Sequence, residues 1–106
     1  MMQTHPPAPE GAAAATDTIR RALEEGPPPP YDELVALEQT LLLIIADLYA
    51  TVAEQQLDQR EHASLNAIRY QTAVGLGTGL VSAHQQVRAL ARNCQWLLER
   101  TQGARS

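Results

Sequence analysis

The residues of this chain able to do covalent, acid–base or metal chemistry are few, and their spacing argues against a reaction centre. His5, His62 and His84 are scattered, and none has a cysteine or second histidine at ligand spacing, so neither a metal nor another cofactor is expected. Cys94 is the single cysteine, which excludes an intramolecular disulfide and a cysteine-based zinc site. His84 lies near Gln85 and Arg88 in sequence, with no acid placed to orient its ring as a general base requires. Glu54, Asp58 and Glu61 fall on one helical face and read as a solvated surface, and "GLGTG" at 75–79 lacks the lysine of a phosphate-binding loop. The expectation is a protein that is not an enzyme. What remains is a recognition chemistry in "GPPPPYDELVAL", Gly26 to Leu37. Four consecutive prolines hold a polyproline II conformation before any partner arrives, so docking them on an aromatic groove costs little entropy.

The bulk numbers set bounds on partners. The chain has 106 residues, enough for one small domain, and a formal net charge of −4, the wrong sign for a phosphate-binding surface. Nucleic acid is therefore not an expected partner. All eight basic residues are arginine, and there is neither lysine nor phenylalanine. The start, "MMQTHPPAPEGAAAATDTIRR", lacks the basic and apolar regions of a secretory signal. The most apolar stretch, "TLLLIIADLYATVA", is interrupted by Asp47 and is shorter than the ~20 residues of a membrane span. No transmembrane segment is expected, and the location that follows is cytoplasmic, with membrane association only through partners.

The elements that must present the proline run are helical. Residues 1–31 read as a flexible Pro/Ala-rich arm that holds a short helix over 12–25, stopped by Gly26, and a polyproline segment over 27–31. Residues 32–102 read as a helical domain and 103–106 as a disordered tail. After Asp32 no proline interrupts the pattern. Leu34, Leu37, Leu41, Ile44, Leu48 and Val52 mark one stripe, widened by Leu42, Ile45 and Tyr49. Leu76, Leu80, Val87, Leu90, Cys94 and Leu97, with Ala73 and Ala83, alternate three and four apart as in a coiled-coil seam. A turn is expected at 58–64, with the second helix running through Gly75, Gly77 and Gly79 because the seam keeps its register across them. The fold class is all-α: a helical hairpin or coiled-coil-like bundle. Residues 33–61 carry six acids against one arginine, and residues 62–106 carry five arginines against Glu99, so the two halves attract. Two helices cannot cover their own apolar surface, which points to a homo-oligomer or a helical protein partner.

Pro28, Pro29 and Tyr31 have PPxY spacing, and Leu34 follows the tyrosine by three. "PPPPYDEL" resembles the extended PY motif, PPPxYxxL, through which channel tails engage the WW domains of HECT-type ubiquitin ligases; short PPxY segments also serve as late-budding motifs in proteins of enveloped viruses. The resemblance spans eight residues. It implies a WW-domain partner, with the prolines in an aromatic groove, Tyr31 in an adjacent pocket and Leu34 brought onto the WW surface by a helical turn. On that reading the chain is an adaptor whose helices hold a client, as a viral accessory, tegument or budding-related protein would. The absence of lysine would leave the adaptor a poor ubiquitin acceptor. The alternative is a structural subunit of a helical assembly, in which the prolines are a spacer and Tyr31 packs against the next turn.

Overall fold

The computed structural model of the chain describes residues 7–103. It contains four helices, α1 (Pro7–Ala22), α2 (Tyr31–Ala53), α3 (Gln59–Val74) and α4 (Leu80–Gly103), and no strand among the described residues. The all-α expectation holds at that level. The number and packing of helices differ from a two-helix hairpin, for reasons that can be read at each boundary.

α1 begins at Pro7, where a missing N–H costs nothing because the first turn has no intrahelical acceptor for it. Ala15, Ile19 and Ala22, spaced four and three apart, are buried. Instead of trailing as an arm, α1 therefore supplies part of the core, and it spans 7–22 where a helix over 12–25 was expected. The polyproline segment follows it, and residues 1–6 of the expected arm lie outside the described residues, as do 104–106 of the expected tail.

Two breaks lie between α2 and α4. The first spans residues 54–58, so the expected turn at 58–64 is shifted: Asp58 is the N-cap of α3 and residues 59–64 are already helical. Asp58 Oδ1 accepts from the Glu61 N–H at 2.8 Å, and Glu61 Oε1 accepts from the Asp58 N–H at 3.0 Å. This reciprocal cap satisfies two orphan donors at once. The acids read as a solvated face are thus a helix start, while Glu54 closes α2. The second break is the glycine stretch itself. Gly75 and Gly77 take φ of +79° and +72°, a left-handed conformation that ends α3 and corrects the expectation of a helix passing through. Leu76 stays buried between them, so the seam keeps its apolar partner without keeping its helix.

α4 is the element that all the others touch, with α2 along most of its length, α1 on one side and α3 less extensively. Leu34, Leu41, Val52, Val87, Leu90, Cys94 and Leu97 are the largest fully buried side chains, and they lie where α2 meets α4. Four seam assignments shift. Ile45, at 4 % exposure, takes the inward place expected of Ile44, while Ile44 and Leu48 are half-buried and Ala73 and Leu80 are exposed. Leu37 is buried as expected.

The Cα radius of gyration is 14.8 Å, against about 13 Å for a compact domain of this length. The molecule measures 43 × 43 × 20 Å, a slab rather than a sphere. Among the described residues α2 is the one helix long and apolar enough to cross a membrane by length and composition, a test that the core helix of a soluble protein also passes. It passes because the helix extends beyond the apolar run at 40–53 to include Leu34, Val35, Ala36 and Leu37.

Candidate functional site

The proline run joins α1 to α2 by a bend at Gly26, whose φ of +125° is open to glycine and strained for other residues. Pro30 has φ −57° and ψ 152°, the polyproline II geometry expected of it, and is the N-cap of α2. Its carbonyl accepts from the N–H groups of Glu33 and Leu34 at 3.0 and 3.1 Å, which starts the helix without a side-chain cap. Asp32 and Glu33 in the first turn face the positive end of the helix dipole. Pro27 and Pro30 are exposed, whereas Pro28 and Pro29 are half-buried. Pro27 and Pro29 border a crevice of about 110 Å³ together with Arg21, Glu33, Leu37 and His84.

Tyr31 and Leu34 both face the interior of this protein. The Tyr31 hydroxyl donates to the carbonyl of Gly77, which latches the start of α2 to the loop between α3 and α4, and its ring packs on the core. Leu34 has no exposed surface at all. The structure therefore brings the four expected WW-contacting residues together in sequence and divides them in space. The prolines face outward in part, and the two residues after them are engaged within the fold.

Arg88 secures the other end of the strap. Its guanidinium Nη1 donates to the carbonyls of Leu23 and Glu24, both at 3.1 Å, where α1 ends with unpaired acceptors and a negative dipole. Arg21 approaches Glu33 at 3.9 Å across the same junction, an exposed pair of little energetic weight. At the far end of α4, Arg100 lies 4.5 Å from the centre of the Trp96 ring and 3.2 Å from Glu61 Oε2. Its buried Nε makes no hydrogen bond, so the Glu61 contact is ionic. Gln55 Nε2 donates to the Arg100 carbonyl at 3.4 Å.

Gln86 is the one buried polar side chain among the described residues. It accepts from the Gln71 side-chain amide and donates through Nε2 to the Gln71 carbonyl at 2.8 Å. That pairing fastens the last turn of α3 to α4. It was not visible in the sequence, where a glutamine one place off a seam reads as surface.

Cys94 occupies the interior as expected of a seam residue, with its thiol directed at the Leu41 carbonyl 3.6 Å away. Burial pushes its pKa from 9.0 up to about 12. The sign of the pH dependence follows. The fold keeps a proton that the unfolded chain loses above pH 9, so this contribution to stability is intact below pH 9 and is lost as pH rises towards 12. A urea titration repeated at pH 8 and pH 10 should show the later sample weaker by about 1 kcal/mol. Thiol reagents should label Cys94 only as fast as the protein opens.

No group of three or more metal-ligating side chains occurs among the described residues. The family profile described as "Family of unknown function (DUF6415)" matches residues 13–106. The chain belongs to this family. The match takes in all of α2, α3 and the proline strap, so these features lie inside the family region. No curated protein and no solved structure matches the chain.

Proposed function

We propose that this member of the family is a non-enzymatic helical subunit that works by protein–protein association, with the proline run as a strap that fixes α1 against α2. The observation that carries the reading is the state of α2. It is the most apolar of the four helices, and only 22 % of its most apolar 18-residue window is buried within the chain. Leu43, at 73 % exposure, stands on it in open solvent, and Tyr70 and Val74 of α3 are 79 % and 67 % exposed. Apolar area of this kind gains about 25 cal/mol per Å² when covered, so a partner helix is the energetically favoured complement. Replacing Leu43 by glutamate tests this. Association should weaken while the helical content of the chain is unchanged, and unchanged association would refute the role given to α2.

A second reading, the WW-binding adaptor, is favoured by the polyproline II geometry at Pro30 and the partial exposure of Pro28 and Pro29. It requires Tyr31 to release Gly77 and Leu34 to leave the core before a WW domain can engage the whole motif. Exposing a buried leucine costs about 1.5–3 kcal/mol. Calorimetry with a panel of WW domains should therefore find a peptide of residues 26–36 binding at least about tenfold more tightly than the intact chain. Equal affinities would mean that the motif docks without unpacking. No binding by the peptide, with Tyr31→Ala as control, would remove the adaptor and the ubiquitin-ligase recruitment that depends on it.

A further inference from the structure

We infer that the chain exchanges α4 with a second copy of itself: the glycine stretch 75–79 turns helical, α3 and α4 fuse into one helix over 59–103, and α4 packs on α1 and α2 of the other copy. The inference goes beyond the role given to the outward face of α2 and does not depend on it.

The first support is the seam that the break interrupts. Ala73, Leu76, Leu80 and Ala83 keep the three-and-four spacing that continues down α4 to Leu97, although residues 75–79 are a loop. A loop has no need of helical register. The spacing is that of one continuous helix, about 68 Å long, which is a second conformation open to the same segment.

The second support is what the break leaves uncovered. Five large apolar side chains are exposed among the described residues, and four of them, Tyr70, Val74, Leu80 and Val81, flank the loop. In the fused helix Tyr70, Val74, Gly77 and Val81 recur at four, three and four, so the exposed side chains gather along one side beside the seam. Residues 70–83 include no charged side chain. Two such hinges can therefore cross at the two-fold axis of a swapped pair and cover each other without repulsion.

The hinge is built to take both forms. Gly75 and Gly77 hold positive φ in the loop, a conformation that strains any other residue, and open space surrounds both. In the fused helix they are only poor helix formers. The Gln71–Gln86 pair and the Glu61–Arg100 ion pair, which hold α3 to α4, re-form with the α4 of the second copy. A tie that the swap forfeits is the Tyr31 hydroxyl on the Gly77 carbonyl, which in a helix accepts from the Val81 N–H instead. Tyr31 is thus a latch on the closed monomer. The second copy is selected by fit, since its α4 already matches the surface of α1 and α2.

The experiment is to refold the full chain from urea at low and high concentration and to separate the products by size, with circular dichroism confirming the helix content of each variant. The wild type is expected as a monomer at low concentration and partly as a dimer at high concentration. That dimer should survive dilution, because α4 must leave the core before the copies part. Gly75→Ala with Gly77→Ala penalises the loop and favours the helix in both copies, so the dimerisation constant should rise at least about tenfold. Tyr31→Phe, which removes the latch and keeps the ring, should raise it as well. Leu80→Pro suits the first position of α4 and cannot sit within a continuous helix, so it should refold only as a monomer. In dimers made from labelled and unlabelled chains, isotope-filtered NOEs should link Leu41 of one copy to Cys94 of the other, residues that meet at 3.6 Å within the monomer. A wild type and a glycine double variant that both stay monomeric at every concentration would overturn the inference. A dimer that forms equally in Leu80→Pro, or that lacks those NOEs, would overturn it too and leave the role of α2 to be judged separately by Leu43→Glu.

Discussion

Replacing Leu41 with alanine is expected to remove about 3 kcal/mol of stability and to lower the melting temperature by about 15 °C. Leu41 has no exposed surface and lies midway along α2, where that helix meets α4. Its carbonyl also receives the Cys94 thiol. The neighbours are held by helices that cannot collapse inward without moving the whole α2–α4 contact, so most of the cavity persists, and the cost lies above the transfer energy alone. A chain of this size has about 5–15 kcal/mol in total, so the loss is a large share. Urea denaturation gives the measurement, with Leu43→Ala as the control. The same chemical change at Leu43, which stands in solvent, should shift stability by less than about 0.5 kcal/mol.

Gln86→Leu should act differently, by loosening one helix instead of weakening the entire fold. The substitution removes both the acceptor of the Gln71 amide and the donor to the Gln71 carbonyl. That carbonyl belongs to the last turn of α3, where the supply of later N–H groups runs out and the Gln86 amide gives it a side-chain donor. Losing a hydrogen-bonded pair at a part-buried site costs about 1 kcal/mol. α3 has little else to resist with, since Leu65 and Ile68 are its only buried residues. Hydrogen exchange resolved by residue should show protection lost over 59–74 while α2 and α4 keep theirs. Uniform loss across all four helices would show that α3 and the core open as a single unit.

The sequence made the class of fold and the inward face of α4 readable, because Val87, Leu90, Cys94 and Leu97 repeat with a helical period and all four are fully buried. It misled at the glycines, where Leu76 and Leu80 sit at seam spacing. Register in a sequence records which residues are apolar, and a buried loop residue such as Leu76 satisfies it as well as a helical one does. In α2 the run Leu41–Ile45 is apolar at every position, so the choice of Ile45 over Ile44 as the inward residue was set by packing. α1 was underrated because two of the three buried residues described on it are alanines, which leave no stripe to see. Asp58 and Glu61 were legible in principle, three apart as a reciprocal cap requires. The division of the proline motif was not, because a motif specifies residue types and is silent on which of them the protein keeps for itself.

The central place of α4 bears on the order in which the chain can be made into a protein. Every other helix rests on it, yet it is the last of the four to be synthesised. Until residues 80–97 emerge, Leu34, Leu41 and Val52 lack their main packing partner, and the face of α2 that meets α4 is open to water and to other nascent chains. The contacts between α2 and α4 thus join distant parts of the sequence, and their loop-closure cost falls late in synthesis. A ribosome paused between codons 54 and 80 would hold an apolar helix with its natural cover still unmade, which is when a holding chaperone would matter most to this protein.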